Sequence, residues 1–116
     1  MGDSKIVTFT LGNRVYGLVP IFQEAETYVS DNTMVERAQE LGANLDEEDG
    51  QFFMEHRAEI PAEVQRSLLV FTGWRHPSNP QSFAYMGWVG DKWYQAWYLP
   101  ELVEWCKYDR LVHCIS

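Results

Sequence analysis

The sequence predicts an α+β fold, a small antiparallel sheet packed with two or three short acidic helices from the middle of the chain. Three observations predict it. Alternating apolar runs flank short glycine-containing turns at the N-terminus and in the aromatic C-terminal half, where they mark two hairpins. Between them, apolar residues recur at helical spacing behind capping signals. At 116 residues, 46% of them hydrophobic and 15% aromatic, the chain has the size of one domain, residues 1–116, and can bury a core without staples.

The first hairpin pairs Lys5–Leu11 with Arg14–Val19 about Gly12-Asn13, a turn suited to positive φ. In that register Val7, Phe9 and Leu11 share a face with Leu18, Tyr16 and Arg14, while Thr8 and Thr10 point away. Phe22–Val29 carries helical signals of no firm type. Thr33-Met34-Val35-Glu36 then reads as a capping box, with Thr33 accepting from the backbone and Glu36 reaching back. Met34, Val35, Ala38 and Leu41 form the apolar stripe of that helix, and Gly42 stops it.

A second helix starts at Asp46, since the run Asp46-Glu47-Glu48-Asp49 complements the positive end of a helix dipole. It is expected to continue to near Ile60 with Phe53, Met54 and Arg57 toward the core, and Pro61 to open a further turn. Leu68–Trp74 is a continuous apolar run, read as a buried strand. The loop Arg75–Pro80 follows, held extended by its prolines. Ser82–Val89 and Lys92–Leu99 form the second hairpin about Gly90-Asp91. Pro100 opens a short helix bearing Leu102, Val103, Trp105 and Cys106, and Leu111–Ile115 closes the sheet.

The net charge of −8 is unevenly spread. Residues 24–63 hold twelve carboxylates against Arg37 and Arg57, a local charge of −10, and the rest of the chain is slightly basic. Such a segment repels phosphate and steers basic partners toward itself, which argues against direct nucleic-acid binding. No apolar run is long enough to span a bilayer, and the N-terminus has no secretory core, so a cytoplasmic location away from membranes is expected. Two cysteines, Cys106 and Cys114, do not make a disulfide scaffold and read as small buried hydrophobes.

Two surfaces could carry function. On an ideal helix Glu48, Glu55 and Glu59 fall within about 40° of one another, with Phe52 near the stripe. Together with Asp46, Glu47 and Asp49 they form a candidate partner-binding face for a protein with a basic surface. Their spacing is close to that of nucleic-acid phosphates, so the partner could itself be a nucleic-acid-binding protein. The second surface is the aromatic hairpin. Trp88 lies beside Trp93 and Ala84 beside Trp97 on one face, and Tyr85 and Phe83 lie on the other. Either both faces are covered or one is left for a ligand or a second copy, as in a homodimer. Trp74, Arg75, His76, Trp88, Trp93 and Trp97 are the candidate ligand-binding residues, with Arg75 holding an anionic group.

No Walker loop, GxGxxG, GxSxG or paired metal-ligand spacing occurs, so neither cofactor nor metal is expected, and no catalytic residue is assigned. His113 and Cys114, adjacent on a strand, face opposite ways. A non-catalytic interaction protein (an inhibitor, immunity protein or adaptor) is the reading these features favour. The alternatives are a small-ligand binder built on the aromatic hairpin and a small enzyme using the Arg75-His76 loop with Ser78.

Overall fold

Two three-stranded units joined edge to edge form a six-stranded sheet in the computed structural model, which describes residues 7–23, 25–27, 29–98, 105 and 108–115. The strands are β1 (Val7–Leu11), β2 (Arg14–Pro20), β3 (Leu69–His76), β4 (Asn79–Val89), β5 (Lys92–Trp97) and β6 (Arg110–Cys114), in the order β1-β2-β6-β3-β4-β5. Helix α1 spans Asp31–Glu40 and α2 spans Glu47–Glu55. The architecture is α+β, but the six-stranded sheet is mixed rather than antiparallel. The strand β6 does not close an edge; it fills the centre, antiparallel to β2 and parallel to β3. Because β2 and β3 run in opposite directions, a strand inserted between them can be antiparallel to only one.

Both hairpins adopt the register read from the sequence. Val7 pairs with Leu18, Phe9 with Tyr16 and Leu11 with Arg14. Trp88 pairs with Trp93, Met86 with Gln95 and Ala84 with Trp97. Positive φ values at Gly12 and Gly90 set the two turns. Residues 75–80 are not an extended loop. Strands β3 and β4 are themselves a hairpin that turns at Pro77-Ser78, with irregular register near Arg75.

The first helix begins earlier than its capping box suggested. Ser30, not Thr33, is the N-cap: its side chain accepts from the Thr33 N–H. Thr33 is the third helical residue, and its hydroxyl joins the cap at 3.0 Å from Ser30 Oγ. The C-terminus is a Schellman motif, with Ala43 N–H donating to Ala38 O, Gly42 N–H to Gln39 O, and Gly42 at φ 67. The described residues of the stretch expected to be helical, 22, 23, 25–27 and 29, are irregular rather than helical, with Ala25 at φ 71. Arg37 holds this segment, donating to Ile21 O at 2.8 Å and to both carboxylate oxygens of Glu26 at 2.7 and 2.6 Å. The guanidinium contact holds the Glu26 carboxyl down at about 2.

The second helix is shorter than expected. Asp46 caps it, but the α-helix ends at Glu55, and 3-10 turns follow at Arg57–Glu59 and, behind Pro61, at Ala62–Val64. Arg57 therefore does not reach the core; it is exposed, while Gly50 and Phe53 are the buried residues of α2. The short helix expected after Pro100 and the Cys106 thiol lie outside the described residues. Cys114 is free and half-buried.

The two helices cover opposite faces of the sheet. Phe53 of α2 is fully buried against Phe9, Tyr16 and Phe71, with ring centroids 6.0, 4.5 and 5.1 Å away. Met34 and Ala38 of α1 pack on the other side with Val19, Val70, Phe83 and Leu111. Adjacent residues divide between the two cores, Leu69 and Phe71 to one and Val70 to the other, as a pleated strand requires. Both faces of the aromatic hairpin thus contribute to a covered core. The charge divides as well, so the acidic middle third of the chain is not one surface.

Strands β3 and β6 pair over only Leu69↔Arg110 and Val70↔Leu111. Beyond that the connection between the helices takes over, bridging Asn44 to Val112 and Asp46 to Gly73. Gly73 N–H donates to Leu45 O at 2.9 Å. A Cβ at Gly73 would collide with the Asn44 and Leu45 carbonyl oxygens, so glycine is required for this close approach. The bridges place the N-terminus of α2 beside β3. No described helix is long and apolar enough to cross a membrane.

Candidate functional site

The acidic face is built on α2, whose first turn is set by Asp46 Oδ1 accepting from the N–H groups of Glu48 and Asp49. With Gly50 and Phe53 buried, the helix periodicity exposes Glu47, Glu48, Gln51 and Glu55. These four positions span an arc of about 100° and, from Glu47 to Glu55, about 12 Å along the axis. Glu47 accepts from Gln51 Nε2 at 2.8 Å, which leaves its charge in place. Glu48 is 79% exposed, and its one ionic contact among the described residues is a long one, 3.5 Å to Arg14 Nη2.

The seven acidic-face candidates do not form one stripe. Glu59 lies on the 3-10 turn beyond the end of α2, and its Oε1 accepts from Gly12 N–H at 2.8 Å, tying that turn to the first hairpin. Asp49 turns inward, 3.1 Å from Arg14 Nη1 and accepting the Tyr16 hydroxyl at 2.7 Å. Burial pushes the Tyr16 hydroxyl well above its ordinary range and so keeps it a donor. Phe52 is half-buried between two partners, the Arg14 guanidinium 4.2 Å from its ring centre and the stacked His56 ring at 4.1 Å. Arg14 and Tyr16 were absent from the candidates. Their signal was in the hairpin register, which put a cation on a core-facing row where a carboxylate has to meet it.

The ligand-binding candidates separate into two groups. Trp74, His76 and Trp97 form one chain of ring contacts, Trp74–Trp97 at 5.7 Å and His76–Trp97 at 4.8 Å. Trp88 and Trp93 meet edge to face at 5.9 Å at the other end of the hairpin. On β4 the pairing partner of Trp97, Ala84, lies four residues from Trp88, about 13 Å along the strand. Arg75 does not reach toward an open pocket: its Nε and Nη1 donate to the carbonyls of Thr72 and Pro80, within its own hairpin. His76 Nδ1 accepts from Ser78 N–H at 3.0 Å. The arrangement around His76 is that of a turn braced by its own side chains.

Trp88 and Trp93 line an open cleft of about 260 Å³ together with Arg57, Gln65, Asp91 and Lys92. Of these six residues only the tryptophans were candidates. Arg57 and Lys92 line the same cleft because the 3-10 turn and the β4–β5 turn both border it, a relation with no local sequence signature. His113 and Cys114 face opposite sides of β6: His113 Nδ1 lies 3.3 Å from Gly42 O, and Cys114 packs on the α2 side. Among the described residues no group of three His, Cys, Asp or Glu is placed to hold a metal ion. Compared with protein-family models, curated proteins and solved structures, the chain matches none.

Proposed function

We propose that the chain is a non-catalytic interaction protein, an inhibitor, immunity protein or adaptor, that engages a basic protein surface through α2. The observation that carries this reading is the arc of Glu47, Glu48 and Glu55. All three are exposed, and among the described residues the cation that reaches them, Arg14, makes its closer ion pair with Asp49. The rest of α2 is anchored by Phe53 and Asp49, so the carboxylates stand on a backbone that needs no ordering on binding. A partner that binds nucleic acid would present the cations such an arc needs, the carboxylates standing in for phosphates. The acids of α1 play no part, because that helix lies on the other face of the sheet.

The test is affinity capture from the source cell with the wild-type chain and with the triple variant Glu47→Lys, Glu48→Lys, Glu55→Lys. Between about 0.05 M and about 0.5 M salt the Debye length falls from about 14 Å to about 4 Å, so charge-driven capture is lost at the higher concentration. The expected result is one or more basic proteins held by the wild type at low salt, released at high salt and not held by the variant. Capture indifferent to both salt and charge reversal would count against the reading.

A further inference from the structure

Seven lysine and arginine side chains are described, and five are engaged. Arg14 and Arg37 form ion pairs. Arg66 lies over the Tyr108 ring, Arg75 donates to two backbone carbonyls, and Arg110 donates to Asp109 O. Arg57 and Lys92 make no ion pair, side-chain hydrogen bond or ring contact among the described residues. Both line the cleft at Trp88 and Trp93. In a protein of net charge −8, with carboxylates abundant, two unengaged cations in one concavity require an account.

The rest of the lining is chemically specific. Trp88 is half-buried and offers ring surface, and Trp93 meets it at 74°. The indole N–H of Trp93 is buried without an acceptor, one of two such side-chain atoms among the described residues. Asp91 offsets one cation, so the lining carries one net positive charge. A volume of about 260 Å³ lies just below the roughly 300–1,000 Å³ of pockets for drug-sized ligands and suits a single ring with one acidic group.

We propose that this cleft binds a small planar aromatic carboxylate. Its ring packs on Trp88, and its carboxylate is held by Arg57 and Lys92. Arg57 supplies the planar donor fork that matches a carboxylate, and Lys92 a point charge. The site stands on the face of the sheet that α2 covers but uses none of Glu47, Glu48 or Glu55, so it is independent of the interaction proposed above.

The experiment is a titration of the nitrogen-15-labelled chain with phenylacetate, following the indole N–H signals by NMR, with acetate and benzylamine as controls. Saturable movement of the Trp88 and Trp93 signals is expected, with those of Trp74, Trp97 and Trp105 unmoved. A dissociation constant of about 1 mM or tighter is in range for so small a ligand. Arg57→Gln and Lys92→Gln are each expected to weaken binding about fivefold or more, because each removes a charge-assisted hydrogen bond. Both positions are exposed, so the folded spectrum should be retained. The proposal is overturned if phenylacetate causes no saturable shift, if acetate or benzylamine moves the same signals equally, or if the single variants bind as the wild type does.

Discussion

Gly50 lies directly beneath the indole of Trp74: a Cβ built on Gly50 would fall within the van der Waals envelope of Trp74 Cε3 and Cζ3. This contact sets how closely α2 approaches β3. The Trp74 ring in turn packs edge-on against Phe71 and Trp97, which resist its moving aside. Gly50→Ala is expected to lower stability by about 1–3 kcal/mol, the ordinary cost of overpacking a filled core. Gly90 is the comparison, since a Cβ there meets nothing within 4 Å and carries only the strain of φ +68. Urea unfolding of both variants should rank Gly50→Ala as the more damaging.

The Tyr16–Asp49–Arg14 cluster joins the first hairpin to α2. Asp49→Ala removes the acceptor of a buried hydroxyl and is expected to cost about 1–3 kcal/mol. In the Tyr16→Phe background that hydroxyl is gone, and the same substitution should cost less. A double-mutant cycle measures the difference, and additive costs would show that the two side chains are not coupled.

Ser30 holds the N-cap position that the capping box assigned to Thr33. Ser30→Ala is expected to destabilise by about 1 kcal/mol, as N-cap removal ordinarily does, and Thr33→Ala by less. Thermal or urea unfolding of the pair decides between the two caps, and a larger cost at Thr33 would restore the original assignment.

Acid titration should reveal the Glu26–Arg37 pair. Its folded value of about 2 lies below the ordinary 4.5, so the pair's contribution is complete above about pH 4.5 and is lost as pH falls toward about 2. Glu26→Gln lacks that contribution at every pH. The stability gap between wild type and variant should therefore narrow across that window, and a gap that stayed constant would mean the carboxylate is not held by Arg37.

Local features of the chain were legible where the physics is local. The pairing of Trp88 with Trp93 follows from the turn glycine and a period of two, and the start of a helix at Asp46 from the acid run that complements its dipole. Glu59 was placed on the wrong element because helical periodicity alone does not say where a helix stops. Here the chain leaves the α-helix after Glu55, and a 3-10 turn aims Glu59 at the Gly12 N–H. Arg57 failed with it, read as core-facing and found on the rim of a cleft.

By itself the sequence determined the α+β class, both hairpin registers and the existence of an acidic α2, since these depend on interactions between near neighbours. Only the tertiary structure decided that β6 enters the centre of the sheet and that α1 and α2 lie on opposite faces. It alone decided, too, that Arg57 and Lys92 line one cleft with Trp88. Those relations join residues far apart in the chain, and they are selected by which faces must be buried together. A charge of −10 in one segment therefore became two surfaces, of which the arc of Glu47, Glu48 and Glu55 is one.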